Sequence, residues 1–115
     1  MPAFGLGLGI GLGDYPAPVA ERYDVLINRS TDTLLDTRNV CCIVTENSVA
    51  VEVTFPAVPR FEQLATVADG DGHCATYNIT VNGNGKLLNG EATVVMNVNR
   101  MSLTWIYNGT KWVMV

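Results

Sequence analysis

From Phe4 to Gly13 every second residue is glycine: Phe4-Gly5-Leu6-Gly7-Leu8-Gly9-Ile10-Gly11-Leu12-Gly13. Successive side chains of an extended strand point to opposite faces. The segment therefore gathers Phe4, Leu6, Leu8, Ile10 and Leu12 on one ridge and leaves the other side as bare backbone. Bare backbone admits another surface at close range, but glycine loses the most entropy on ordering and weakens a strand that stands alone. The expected structure is an arm that gains order only against a larger body. Asp14-Tyr15-Pro16-Ala17-Pro18 follows, where two prolines remove donors and hold the backbone extended. The chain is thus expected to divide into a docking arm and stiff linker over residues 1–20 and one domain over residues 21–115.

Beyond the linker the hydrophobic pattern has period two. Tyr23, Val25 and Ile27 alternate with polar neighbours, as do Val49, Val51, Val53 and Phe55, the clearest half-buried strand. Val40 to Val44 is apolar on both faces, as a central strand would be. After the break at Pro56-Ala57-Val58-Pro59, residues 61–69 read as either strand or a single helical turn. A second block follows, with Ala75, Tyr77, Ile79 and Val81, then Val94, Met96 and Val98, then Leu103, Trp105 and Tyr107, then residues 111–115. Asn82-Gly83-Asn84-Gly85, Asn89-Gly90 and Asn108-Gly109 supply the positive φ of tight hairpins. No segment of helical period reaches ten residues. The expectation is an all-β domain of about eight strands, a β-sandwich or jelly roll. A terminal strand, Trp112-Val113-Met114-Val115, is expected to be paired and covered.

Charged residues make up 16% of the chain, below the usual ~25%, so part of the surface is expected to be covered by copies of itself or by a partner. The net charge of −4 comes without a basic cluster, and nucleic-acid binding needs a basic stripe for phosphates. No run approaches the ~20 apolar residues of a membrane span, and the ribbon lacks the basic start of a secretory signal. Neither nucleic acid nor membrane is an expected partner. Cys41, Cys42 and Cys74 are odd in number, and two are adjacent. Neighbours in a strand face opposite ways, so three reduced core thiols are expected, with a single Cys74 bridge to one of the pair as the alternative.

Asp69-Gly70-Asp71-Gly72-His73 has the look of a calcium loop, but the twelfth position, where an EF-hand needs Glu, is Thr80. An acidic turn is expected instead. Zinc would have only Cys41, Cys42, His73 and Cys74, two adjacent pairs that each send one member to the wrong face. No metal or other cofactor is expected. His73 could serve a nucleophile as base, but no G-x-S-x-G elbow accompanies it. Carboxylate pairs for glycoside hydrolysis are not selected by any pattern. Gly5 and Gly7 would need a third glycine where Ile10 stands to make a dinucleotide loop. No catalytic residue can be named. Trp105, Tyr107 and Trp112 flank the Asn108-Gly109 turn and suit either a sugar-stacking platform or a cross-strand cluster anchoring the last hairpin.

Several of these segments together resemble a module common in structural proteins of tailed bacteriophages. They are Asp32-Thr33-Leu34-Leu35, residues 40–44 and 49–56, Ala68-Asp69-Gly70-Asp71-Gly72, Tyr77-Asn78-Ile79-Thr80-Val81 and Leu87-Leu88-Asn89-Gly90. The closing Ser102-Leu103-Thr104-Trp105-Ile106-Tyr107-Asn108-Gly109-Thr110-Lys111-Trp112-Val113 fits best. The resemblance covers roughly residues 23–115, and its motifs are short. It implies a homotrimer of β-rich knobs on the virion surface, made in the bacterial cytoplasm, without enzymatic activity. Departures are the vicinal Cys41-Cys42 pair and the lack of a long repetitive shaft. An arm this short anchors a knob directly to a shell, so a capsid decoration protein docked on the major capsid protein is expected. The alternatives are a receptor-binding fibre or spike knob and a head–tail adaptor.

Overall fold

A computed structural model describes residues 22–115. The expected arm, Phe4 to Gly13, lies outside the described residues. Every element among the described residues is a strand: β1 (Val25–Arg29), β2 (Thr33–Leu34), β3 (Val40–Val44), β4 (Val51–Thr54), β5 (Leu64–Asp69), β6 (Ile79–Asn82), β7 (Thr93–Met96), β8 (Ser102–Tyr107) and β9 (Trp112–Met114). The all-β expectation holds. Of residues 61–69, ambiguous in sequence, 61–62 form a turn and Leu64–Asp69 become β5, with partners standing on both sides of it.

The strands form two sheets, ordered β1-β3-β5-β8-β9 and β2-β4-β6-β7. One buried cluster draws on both: Val40, Cys42, Val44, Ala65 and Val67 from the first, Val51, Val53, Ile79, Val81 and Met96 from the second. The arrangement is two layers over a common core, as in a sandwich. The pairing is another matter. β1, β3 and β5 run parallel, and so do β2, β4 and β6. Through its first half the chain therefore visits the two sheets in turn, laying one strand in each before returning. Only β6–β7, β5–β8 and β8–β9 are antiparallel. A jelly roll is built of antiparallel Greek keys, so that alternative is set aside by the parallel half.

The expected turn chemistry is present at the expected Asn-Gly pairs, and the one at Gly109 (φ 97°) joins the antiparallel β8 and β9. Asn84 and Gly85 both have positive φ (54° and 93°), as do Asn89 and Gly90 (48° and 91°), the pattern of a type I′ turn. Lys86 N–H donates to Gly83 O at 3.1 Å, and Leu88 pairs with Glu91. These two turns fold the 83–92 excursion between β6 and β7 rather than joining long strands. Gly83 is required by space: a Cβ there would sit 1.8 Å from the Lys86 carbonyl oxygen.

Alternation assigns each strand residue to a face. Val40, Cys42 and Val44 point inward while Cys41 and Ile43 point outward, and the same parity runs through the registered neighbours. The alternation Val49-Val51-Val53-Phe55 holds from Val51 onward, whereas Val49 precedes β4 and is exposed.

Candidate functional site

The most constructed polar feature is the turn that ends β5. Asp69 has the inward parity of Ala65 and Val67 and is only 4% exposed. Its Oδ1 accepts N–H bonds from Gly72 (3.1 Å) and His73 (3.2 Å), and its Oδ2 from Cys74 (3.1 Å) and Arg100 (2.9 Å). Burial pushes its pKa up, but the backbone donors of Arg100, Cys74 and His73 outweigh this and hold it down at about 2. The carboxylate thus ties the end of β5 to the 70–74 loop and to the β7–β8 connection. All four bonds are internal. Among the described residues, no group of three or more His, Cys, Asp or Glu is placed to hold a metal.

Gln63 plays a similar part at the other end of β5. It is fully buried, with Nε2 donating to Asp36 O (2.8 Å) and Arg38 O (2.9 Å) and Oε1 accepting the Arg60 N–H (3.1 Å). It fastens the β2–β3 loop to the start of β5. Neither clasp was identified from sequence, although the inward parity of Asp69 was a signal for the first.

The thiols are free. Cys42 and Cys74 lie in the core, and Cys41 lies on the outward side of β3, 8% exposed. Burial raises all three, carrying Cys42 to about 11; the Asp69 carboxylate adds to the rise at Cys74. Cys74 Sγ donates to Val98 O at 2.8 Å. Thiols held protonated in this way are poor nucleophiles and poor metal ligands.

Trp105 and Trp112 are fully buried and Tyr107 nearly so. Phe55 joins them: its ring centroid is 5.6 Å from Trp105 and 4.6 Å from Trp112, and Tyr107 lies 5.3 Å from Trp112. These rings form a core cluster spanning β8, β9 and the end of β4. None presents a free face to a sugar. The indole N–H groups of both tryptophans have no acceptor among the described residues, a cost offset by the large apolar area each ring removes from water.

Two surfaces remain. The outer face of the five-stranded sheet consists of three registered rows: Leu26-Cys41-Thr66-Thr104, Asn28-Ile43-Ala68-Ser102, and Leu64-Ile106-Val113. No charged residue stands in them. Tyr23 lies against this face with its hydroxyl bonded to Thr66 Oγ1, which in turn bonds Thr104 Oγ1 at 2.8 Å. The outer face of the four-stranded sheet has two rows, Leu34-Thr54-Asn82-Thr93 and Glu52-Thr80-Val95. At its β2 edge is a shallow, open groove of about 450 Å³ lined by Asp32, Thr33, Leu34, Thr54 and Asn84. Asp32 Oδ1 there accepts the Glu52 N–H (2.8 Å), and Asn84 Nδ2 donates to Phe55 O (3.1 Å).

No helix among the described residues is long and apolar enough to cross a membrane. No protein-family model matches the chain, and no curated protein matches its sequence significantly.

Proposed function

We propose that this chain is a non-enzymatic structural protein of a tailed-bacteriophage virion, a capsid decoration protein that trimerises and stabilises the shell through its N-terminal arm. The observation that carries the reading is the glycine-alternating ribbon. Its ridge of Phe4, Leu6, Leu8, Ile10 and Leu12 suits an apolar groove, and Gly5, Gly7, Gly9, Gly11 and Gly13 let its backbone approach a partner's sheet edge. The major capsid protein is the partner in this reading. Three arms on one trimer would make later contacts effectively intramolecular and raise avidity. Binding across neighbouring capsid subunits would stabilise the assembled shell by mass action. The described body supports a mechanical role in one respect: its most elaborate polar groups, Asp69 and Gln63, spend their hydrogen bonds on holding loops together.

A second reading, a receptor-binding knob, draws on the groove at Asp32, Thr33, Leu34, Thr54 and Asn84, where carboxylate, hydroxyl and amide groups border an exposed leucine. Co-sedimentation with expanded, undecorated capsids separates the two. Deleting residues 2–13 is expected to abolish binding while the body stays folded. Undiminished binding by the truncated, folded protein would defeat the decoration reading, and retention on a glycan array would favour the knob.

A further inference from the structure

The first six strands wind as three turns that alternate between the sheets: β1 then β2, β3 then β4, β5 then β6. Stacked turns need their end units closed, because an open end leaves unpaired backbone. The last strand of the five-stranded sheet is closed. Trp112 N–H donates to Leu87 O (2.9 Å), Asn89 N–H to Trp112 O (3.0 Å) and Met114 N–H to Asn89 Oδ1 (2.8 Å). Among the described residues the first turn has no such cover, since β1 and β2 are both edge strands. β2 pairs with β4 through Thr33 and Leu34 alone. Leu35 N–H points at Thr54 O (2.8 Å), so by alternation the Leu34 N–H points away from β4, to the open edge. The Leu34 side chain is 70% exposed in the groove beside it.

What precedes β1 repeats what precedes β5. Tyr15-Pro16-Ala17 stands ten residues before Val25, and Phe55-Pro56-Ala57 stands ten before Ala65. Val25 and Ala65 share a column, both registered on Val40. Phe55-Pro56-Ala57 follows β4 and carries the chain from the four-stranded sheet toward β5. The counterpart of β4 (Val51–Thr54) is then Gly11-Leu12-Gly13-Asp14. We propose that residues 11–14 form a further parallel strand on the free edge of β2 in the same chain, with Gly13 beside Thr33 as Thr33 is beside Val53. In this register the Gly13 carbonyl meets the Leu34 N–H. The tether permits it. Arg22 O accepts from Asn39 Nδ2 (3.3 Å), which places the start of the described chain against the loop leading out of β2. Twelve residues from Gly13 to Val25 can span about 40 Å, against about 10 Å between stacked sheets. A strand tethered this closely reaches the edge ahead of one from another molecule. The inference goes beyond the capsid reading, and it leaves Phe4, Leu6, Leu8 and Ile10 outside the strand for a partner.

Amide hydrogen exchange of the full-length chain, followed residue by residue by NMR, reads the pairing at Leu34. In the wild type the Leu34 N–H is expected to exchange at least about tenfold more slowly than after deletion of residues 2–13. Gly13→Pro removes the N–H that faces β2 in this register and is expected to give the same release. Leu12→Pro removes one that faces away and is expected to keep the protection. Both substitutions precede the β1–β9 body, and far-UV circular dichroism checks that its fold is unchanged. Protection is expected to be independent of protein concentration, as a strand from the same chain requires. A Leu34 amide as fast in the wild type as in the deletion would overturn the proposal. So would protection that survives Gly13→Pro, or protection lost on dilution, since a second copy would then be its source. Protection in a chain that fails to bind expanded capsids would uphold this proposal and defeat the decoration reading; capsid binding with an unprotected Leu34 would do the reverse.

Discussion

The two sheets share one core and differ in what they turn outward. Across the five-stranded sheet the outward rows hold leucine, isoleucine, valine, cysteine, alanine, serine, threonine and a single asparagine. Across the four-stranded sheet they hold Glu52 and Asn82 among threonines, with Leu34 and Val95 toward the edges. Asn82 Nδ2 donates to Glu52 Oε2 at 3.1 Å, an arrangement suited to water. The inward rows are apolar in both sheets, apart from Thr33 and the ends of the first sheet at Arg29 and Asp69. The difference teaches that the inside is set by folding alone, whereas the outside records what each sheet is exposed to. Substitutions that distinguish inside from outside are therefore the direct way to challenge it.

The largest effect is expected inside. Trp105 packs edge-on to Phe55 and is fully buried, so Trp105→Ala is expected to cost about 4 kcal/mol through lost burial and a residual cavity. Thr80→Ala, on the outer face of the other sheet, is expected to change stability by less than about 0.5 kcal/mol. Urea midpoints at unchanged m-value measure both. A small loss at Trp105 would mean that the aromatic cluster is not the centre of the core.

The next effect tests the exception, a charge that points inward. Asp69 titrates at about 2 in the folded protein against an ordinary value of 3.8. The ionised form is thus favoured by folding: its stabilisation is complete above about pH 4 and disappears as pH falls through about 2. The difference corresponds to about 2 kcal/mol. Stability of the wild type is expected to decline by that amount between these pH values, and Asp69→Asn is expected to remove most of the decline while lowering stability at neutral pH. An unchanged acid profile in the variant would show that the four N–H bonds do not set the carboxylate's affinity for its proton.

How much of this was legible in sequence follows from what alternation encodes. Period two fixed which residues share a face, so the inward Val51, Val53, Ile79 and Val81 were readable. It does not specify which strand lies alongside, because a face can be satisfied by parallel or antiparallel neighbours. Hence a hairpin-built sandwich was the natural expectation, while the chain crosses between sheets through its first six strands. The Asn-Gly pairs reported reversals faithfully but not what was being reversed, and two of them shape an excursion. Trp105, Tyr107 and Trp112 were readable as a group, but their burial depended on Phe55, fifty residues away from Trp105 and brought close only by the second sheet. Gln63 gave no signal, since its partners Asp36 and Arg38 are carbonyls of a distant loop.

The finest form of the comparison lies in two adjacent residues. Cys41 and Cys42 have the same chemistry and the same strand, and the pleat sends one outward and the other into the core. A serine at either site replaces a thiol with a stronger hydrogen-bonding group of smaller volume. In Cys42→Ser the hydroxyl would sit among Val67, Val53 and the rest of the buried cluster, where apolar side chains predominate; leaving it unpaired is expected to cost about 2 kcal/mol. In Cys41→Ser the new hydroxyl would join a row that already contains Thr66 and Thr104, and the cost is expected to stay below about 1 kcal/mol. The urea midpoints of the two variants measure the gap directly. If they were equal, the pleat would not separate a core side of β3 from an outward side.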